Sequence, residues 1–421
     1  MERIAFLFTG QGAQFIGMGK MLHNKYTIAR QTFEEANDVL GFDLTKLCFE
    51  GSLMNLSKTE NAQPAILTAS VAAYRVYMQE IGIPPEYCAG HSFGEYSALT
   101  CAGTLKYSEA VRLVRKRGLL CARVAGFDTG AMTIVEGVTQ DIVEEECKKA
   151  SGKNQFVMIN VYNDLYQFSI AGHREAVERA ETALLERGAN ITPLMMSTPF
   201  HSMLMDGIVE ELRDELYKCN FKKPRWPVIS NVTGLPYKNK DEIPRLLAFQ
   251  AVKPVQWMSS MRYLFNNGIT IAIEMGPKNV LTNLVKSNTP EIMAFCYGQP
   301  EMRNNLQDML ESKSKAMKMF HTVISGCLAV AVSTPNGNNN EDEYVKGVVE
   351  PYKIIEKMLS SQIRQGIRPD IDQMKDALGM LRTILNTKGV SIEEQQAWFE
   401  NILEETGTCY ILGDFIKNWA S

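Results

Sequence analysis

The sequence predicts an α/β protein, and three observations carry that prediction. The N-terminal run IAFLF at 4–8 is wholly apolar and runs into the glycine turn TGQG, as expected of a buried first strand. The stretch AGHSFGEYSAL at 89–99 holds the pattern GxSxG, in which a strand turns sharply into a helix with Ser92 at the turn. Residues 127–196 read strand, helix, strand, strand, helix, strand: AMTIVEG, DIVEEECKKA, FVMINVYN, QFSIAG, REAVERAETALLERG and ITPLMM. That order suits a small ferredoxin-like subdomain. Beyond residue 290 the pattern is largely helical. A helical extension is expected over 291–332, a polar Asn/Gly linker over 333–343 and a C-terminal helical module over 344–421. In that module one helix pattern opens on Pro369 and stops at Gly389, and the next opens with a capping box, Ser391 with Glu394.

The 421 residues are 45% hydrophobic and 22% charged, ordinary globular composition, with a net charge of -4. So mild a charge gives no reason to expect a nucleic-acid or membrane partner. No apolar run approaches the ~20 residues of a membrane span; TVISGCLAVAV at 322–332 reads as a buried helix or strand. The N-terminus reads as a core strand and not a signal peptide. Nine scattered cysteines without a CxxC pair or a Cys/His cluster point to a reduced, cytoplasmic protein with no disulfide framework and no metal site.

A serine hydroxyl becomes a good nucleophile only when a base takes its proton, and there are five histidines to choose from. His91 adjoins Ser92, but neighbouring side chains at such a turn point apart. His23 lies in a polar stretch and is expected to face solvent. His173 follows a strand end as a turn residue, and His321 suits a satisfied core position. His201 follows Pro199 in STPFHSML, on an irregular segment of the kind that borders a pocket.

With these residues in place, the chain resembles the malonyl-CoA:acyl-carrier-protein transacylase family over residues 1–290. The resemblance rests on ordered motifs: FTGQGAQ (8–14), GHSFGEYSAL (90–99), RKRG (115–118), GAM (130–132), NVYNDLYQFSIAG (160–172), TPFHSMLM (198–205), ISNVTG (229–234), PVQW (254–257) and EMGP (274–277). It implies a large α/β-hydrolase-like subdomain with a mostly parallel sheet, made of 1–126 and 197–290, around the inserted 127–196 subdomain. The site is expected in the cleft between them. It implies Ser92 as nucleophile and His201 as its base, with the backbone amides of Gln11 and Phe93 as the oxyanion hole. It implies Arg117 as the group that grips a free carboxylate through two points. Phe200, Asn160 and Gln250 match residues that shape the substrate pocket. Asp128, Asp164 and Asp206 are nearby acids, yet none sits in a recognisable acid loop; the resemblance implies a Ser–His dyad, with the histidine held by a backbone carbonyl.

The resemblance further implies malonyl transfer from coenzyme A to the phosphopantetheine thiol of an acyl carrier protein, with no cofactor on this chain. Phe200 before His201 follows the xxFH pattern that accompanies malonyl selection, although TPFH departs from the common HAFH. Extensions like that after 290 resemble those of discrete polyketide acyltransferases that act in trans, and a hybrid peptide–polyketide synthase of the colibactin type is the expected setting. FKKPRW at 221–226 is a candidate basic patch for an acidic carrier. Three alternatives remain: transfer of a carrier-bound aminomalonyl or hydroxymalonyl unit, hydrolysis of stalled acyl carriers, and a non-catalytic docking role. Arg117 argues against a plain hydrolase, and the intact Ser92, His201 and Arg117 argue against the last.

Overall fold

The computed structural model describes residues 2–125, 130–194, 198–320, 322–365, 369–417 and 419. Asp128, His321 and the expected subdomain junctions at 126–127 and 196–197 lie outside these residues. The chain forms two compact units, one of residues 1–76 and 84–304, the other of 77–83 and 305–421.

The first unit holds two sheets. β1 (Ile4–Phe8), β2 (Tyr87–Gly90), β7 (Val228–Ile229), β8 (Ile271–Met275) and β9 (Met293–Cys296) form a five-stranded sheet in the order β7-β2-β1-β8-β9. Every pairing in it is parallel. All five residues of β1 are buried, which explains its unbroken apolar run: helices and loops cover both faces, so no position is left for a polar side chain. On one face Leu7, Ala89 and Ile229 pack with Trp257, Met261 and Leu281.

The second sheet has the order β4-β5-β3-β6, from β3 (Gly130–Glu136), β4 (Val157–Tyr162), β5 (Gln167–His173) and β6 (Asn190–Pro193). Its pairings are antiparallel. Helices Gln140–Ala150 and Arg174–Glu186 cover it, and Val143, Val177 and Leu184 join Val135, Phe168 and Ile170 in its core. Burial does not alternate strictly along it: in β5 the five residues Phe168, Ser169, Ile170, Ala171 and Gly172 are all buried. The first sheet runs past the expected end at 290, since β9 pairs with β8. Its MAFC is short and half exposed, as befits an edge strand, and it carries little hydrophobic signal.

The second unit is helical. Val323–Ser333 is a helix, not a strand, and its Val323, Ile324 and Cys327 share one core with Leu378, Leu381, Phe399 and Ile402. The polar segment 333–343, expected as a linker, is a connection inside this unit, to which the residues on both sides of it belong. Buried Lys388 ties it down, donating from Nζ to the carbonyls of Ala331 at 2.6 Å and Thr334 at 2.8 Å. The helix pattern from 344 is interrupted by a π-helical turn at Val345–Val349 before Glu350–Gln365. Pro351 has no amide to give the preceding turn, which accounts for the wider winding. Asp370, not Pro369, caps the helix Ile371–Thr387. At Ser391 the capping box closes one way only: Ser391 accepts from the Glu394 amide at 3.3 Å, while the Glu394 carboxylate receives the Trp398 indole N–H at 3.5 Å. Among the described residues no helix is long and apolar enough to cross a membrane.

Candidate active site

The site is built where β1 and β2 end side by side. Their register places Phe8 opposite Gly90, so the loops that follow the two strands are neighbours. The His91 amide donates to the Phe8 carbonyl at 3.0 Å. A Cβ on Gly90 would lie 2.0 Å from the Gly94 carbonyl carbon, and one on Gly94 would lie 2.0 Å from the Phe8 carbonyl oxygen. Only glycine fits at either position. Between them Ser92 takes a left-handed backbone (φ 52°), a strained conformation that holds its side chain at the start of helix Gly94–Cys101. Among the described residues, neither the Gln11 nor the Phe93 amide N–H has a protein acceptor. A helix N-terminus with free amides favours negative charge developing beside Ser92.

Ser92 Oγ lies 2.5 Å from His201 Nε2. His201 also has a left-handed backbone (φ 58°) and is buried. Its Nδ1–H donates to the Gln250 carbonyl at 2.6 Å, which fixes the tautomer and leaves Nε2 with the lone pair that faces the serine hydroxyl. Burial pushes the imidazole down to about 3; the Gln250 bond opposes this, and the nearby Arg117 charge adds to it. At neutral pH the ring is uncharged and able to take a proton. Among the described residues no acid completes a triad. Asp164 turns the β4–β5 connection through the Tyr166 amide at 2.8 Å, and Asp206 begins the helix Asp206–Tyr217.

Arg117 lies on helix Tyr107–Ala125 and is only 2% exposed, which overturns the solvated-face reading that its basic neighbours alone would suggest. Its guanidinium carbon lies 5.9 Å from the Phe93 ring centre, 5.3 Å from that of Tyr96 and 5.9 Å from that of Phe200. Nη2 reaches Gln250 Oε1 at 3.5 Å, and Nε is unsatisfied. Among the described residues no carboxylate pairs with it. A buried cation without a counter-ion is a place where a ligand carboxylate gains much.

Asn160, on β4, donates from Nδ2 to the Phe200 carbonyl at 2.8 Å and so holds the turn that presents His201. The Gln250 side chain donates to the Ser92 carbonyl at 2.9 Å and to Glu95 Oε2 at 2.5 Å. Glu95 has no role in the sequence reading, yet its carboxyl is buried beneath the elbow. Glu95 Oε1 accepts from Tyr237 Oη at 2.5 Å and from the Asn231 amide N–H at 3.3 Å. Burial pushes this carboxyl up to about 7, against the pull of those donors and of Ser230. The other histidines stand apart. His91 Nε2 is engaged with Asn163 Oδ1 at 2.8 Å, and His173 Nδ1 accepts from the Phe156 amide at 3.1 Å. His23, expected in solvent, packs edge-on against Phe33 and Phe49. Among the described residues no cluster of His, Cys, Asp or Glu has the arrangement to hold a metal.

Residues 5–326 match the acyl transferase domain family. A malonyl CoA-acyl carrier protein transacylase of Bacillus subtilis is 38% identical over 395 residues, covering 94% of this chain and 99% of the relative, so the helical C-terminal part has a counterpart there. A protein of the same description from Escherichia coli K12 is 41% identical over 301 residues, 71% of this chain and 97% of the relative. Among solved structures, a malonyl-transacylase in complex with its type II polyketide synthase acyl-carrier protein superposes with a TM-score of 0.71 at 36% identity, covering 73% of this chain and all (100%) of that one. The likeness thus extends beyond residue 290 and spans the serine elbow, the histidine turn and the buried arginine together: the chain belongs to the acyl transferase family, among the malonyl CoA-acyl carrier protein transacylases.

Proposed function

We propose that this acyltransferase moves malonyl from coenzyme A through a seryl ester at Ser92 to the phosphopantetheine thiol of an acyl carrier protein. The observation that carries the reading is a buried, unpaired Arg117 sharing Gln250 with the Ser92–His201 pair. In the first half-reaction His201 Nε2 takes the Ser92 proton as Oγ attacks the thioester carbonyl. The carbonyl oxygen becomes an oxyanion that meets the Gln11 and Phe93 amides. Collapse breaks the C–S bond, and the leaving thiolate takes the proton from Nε2–H. The carrier's thiol then repeats the sequence on the seryl ester, giving ping-pong kinetics. Every step uses this chain's own side chains and amides, so the reading requires no resident metal or cofactor; phosphopantetheine belongs to the carrier.

Arg117 supports a substrate with a free carboxylate, and the Phe200 ring beside it supports malonyl over methylmalonyl, since an α-methyl would compete for its space. The carrier is proposed to belong to a polyketide or hybrid peptide–polyketide synthase served in trans. The likeness to a transacylase bound to a polyketide carrier supports this. The test is intact mass after incubation with malonyl-, methylmalonyl- and acetyl-CoA together. A malonyl-sized adduct is expected on the native chain and none on Ser92→Ala. Absence of any adduct, or release of free malonate without transfer to a holo-carrier, would overturn the reading. Carriers from fatty-acid and polyketide systems, offered side by side, identify the recipient.

The buried imidazole makes a separate prediction. Its affinity for protons is lowered, so it stays neutral as pH falls, whereas a histidine at about 6.5 would be mostly charged at pH 5. Ring-¹⁵N spectra of histidine-labelled protein are expected to show His201 as the Nδ1–H tautomer throughout pH 5–8. A titration of this ring near 6.5 would contradict the arrangement. The unfolded chain binds the proton first, so this group makes folding less favourable as pH drops from about 6.5 toward 3.

A further inference from the structure

The amide of Gln250 has two acceptors on its nitrogen side, the Ser92 carbonyl and Glu95 Oε2, and one donor on its oxygen side, Arg117 Nη2. Its orientation is therefore fixed by chemistry: a flip would set oxygen against two oxygens and N–H against guanidinium. Glu95 supplies half of that constraint. Tyr237 Oη, the Asn231 amide and Gln250 Nε2 all lie at donor positions around it, so the ionised form satisfies them together. Among the described residues Glu95 makes no direct ion pair with Arg117, and the link between them runs through one amide.

We propose that Glu95 is a positioning residue for acyl selection, holding Gln250 so that its Oε1 faces Arg117 and sets the guanidinium for the substrate carboxylate. The inference rests on the reading of Arg117 as the carboxylate-binding group. In Glu95→Gln the Asn231 amide, which can only donate, claims the new amide oxygen. The new NH₂ then faces Gln250 and turns it over, bringing a second donor against Arg117. The consequence is selective. The malonyl-CoA concentration for half-maximal single-turnover acylation is expected to rise about tenfold, with a smaller change in limiting rate. The malonyl-over-acetyl ratio falls with it. In a Gln250→Met background, which keeps the backbone carbonyl that holds His201, Glu95→Gln is expected to change the ratio by less than about threefold, because the connecting amide is gone.

The experiment measures both donors on native protein, Glu95→Gln, Gln250→Met and the double variant, with melting curves alongside. A folded Glu95→Gln protein with the native ratio overturns the proposal, as does an equal effect in both backgrounds, which would mark a role in folding alone. Should Glu95→Gln fail to fold, Gln250→Met decides: an unchanged ratio there overturns the link, and a lowered one upholds it. Native protein with no malonyl preference would instead overturn the Arg117 reading, and the Glu95 proposal with it.

Discussion

Replacing His201 with alanine is expected to slow malonylation of Ser92 by on the order of 10⁵-fold or more, as for a serine enzyme stripped of its base. Among the described residues no second base stands ready beside Ser92. His91 adjoins Ser92 in sequence, but its Nε2 is engaged with Asn163. Glu95 lies under the elbow, and its oxygens are held by Tyr237, Asn231 and Gln250. Because serine and histidine act as a unit, the double variant Ser92→Ala/His201→Ala is expected to be no slower than either single one. Quenched single-turnover mass spectrometry with malonyl-CoA reads this directly. A His201→Ala protein within tenfold of the native rate would remove His201 from the chemistry. The melting temperature serves as a control: the variant loses a buried ring and keeps a left-handed backbone at a residue that still carries a Cβ, so some loss of stability is expected beside the loss of rate.

The elbow was legible because its glycines have no substitute. A Cβ at Gly90 or Gly94 meets main chain at 2.0 Å, so the spacing carries the geometry. The second sheet was legible from the order of its short apolar runs and the two helix patterns between them, not from alternation, since β5 is buried over five consecutive residues. What holds His201 was not legible as a side chain, since the Gln250 carbonyl is a main-chain atom that any residue would provide. Only the family resemblance suggested it. The role of Arg117 came from the resemblance alone: its basic neighbours suit a solvated helix face and give no sign that the rings of Phe93, Tyr96 and Phe200, each distant in sequence, lie beside it. Glu95 escaped notice for a similar reason. A glutamate in the first turn of a helix reads as a surface residue, and its burial comes from Asn231 and Tyr237, more than a hundred positions away. Its one sequence signal is an acid followed by the apolar run of GEYSALTCAG. In the C-terminal unit the helices are legible, and the Asn/Gly composition of 333–343 marks a linker; that buried Lys388 ties its start down is not legible, since Lys388 looks like any surface lysine at a helix end.

Arg117→Ala is expected to move activity and stability in opposite directions. A buried guanidinium that loses its partner, or a carboxylate that loses its guanidinium, typically forfeits ~2–5 kcal/mol, so malonyl-CoA acylation should fall by roughly 30- to 5,000-fold. Acetyl-CoA carries no carboxylate, and its acylation should be unchanged or faster. Arg117→Lys should fall between, since an ammonium supplies the charge without the planar two-point contact. In the free protein, however, Arg117 is 2% exposed with an unpaired Nε and no carboxylate partner among the described residues. Such a cation burdens the fold until a ligand neutralises it. The alanine variant gives up ring contacts and leaves a cavity but removes that burden, so its melting temperature is expected to match or exceed that of the native chain. Malonyl-CoA or a non-reactive malonyl analogue should then raise the melting temperature of native protein and leave that of Arg117→Ala unmoved. A destabilised variant that keeps its malonyl preference would make Arg117 a packing residue. The expected pair, weaker malonyl use with undiminished stability, is what a side chain kept for a substrate and not for the fold would give.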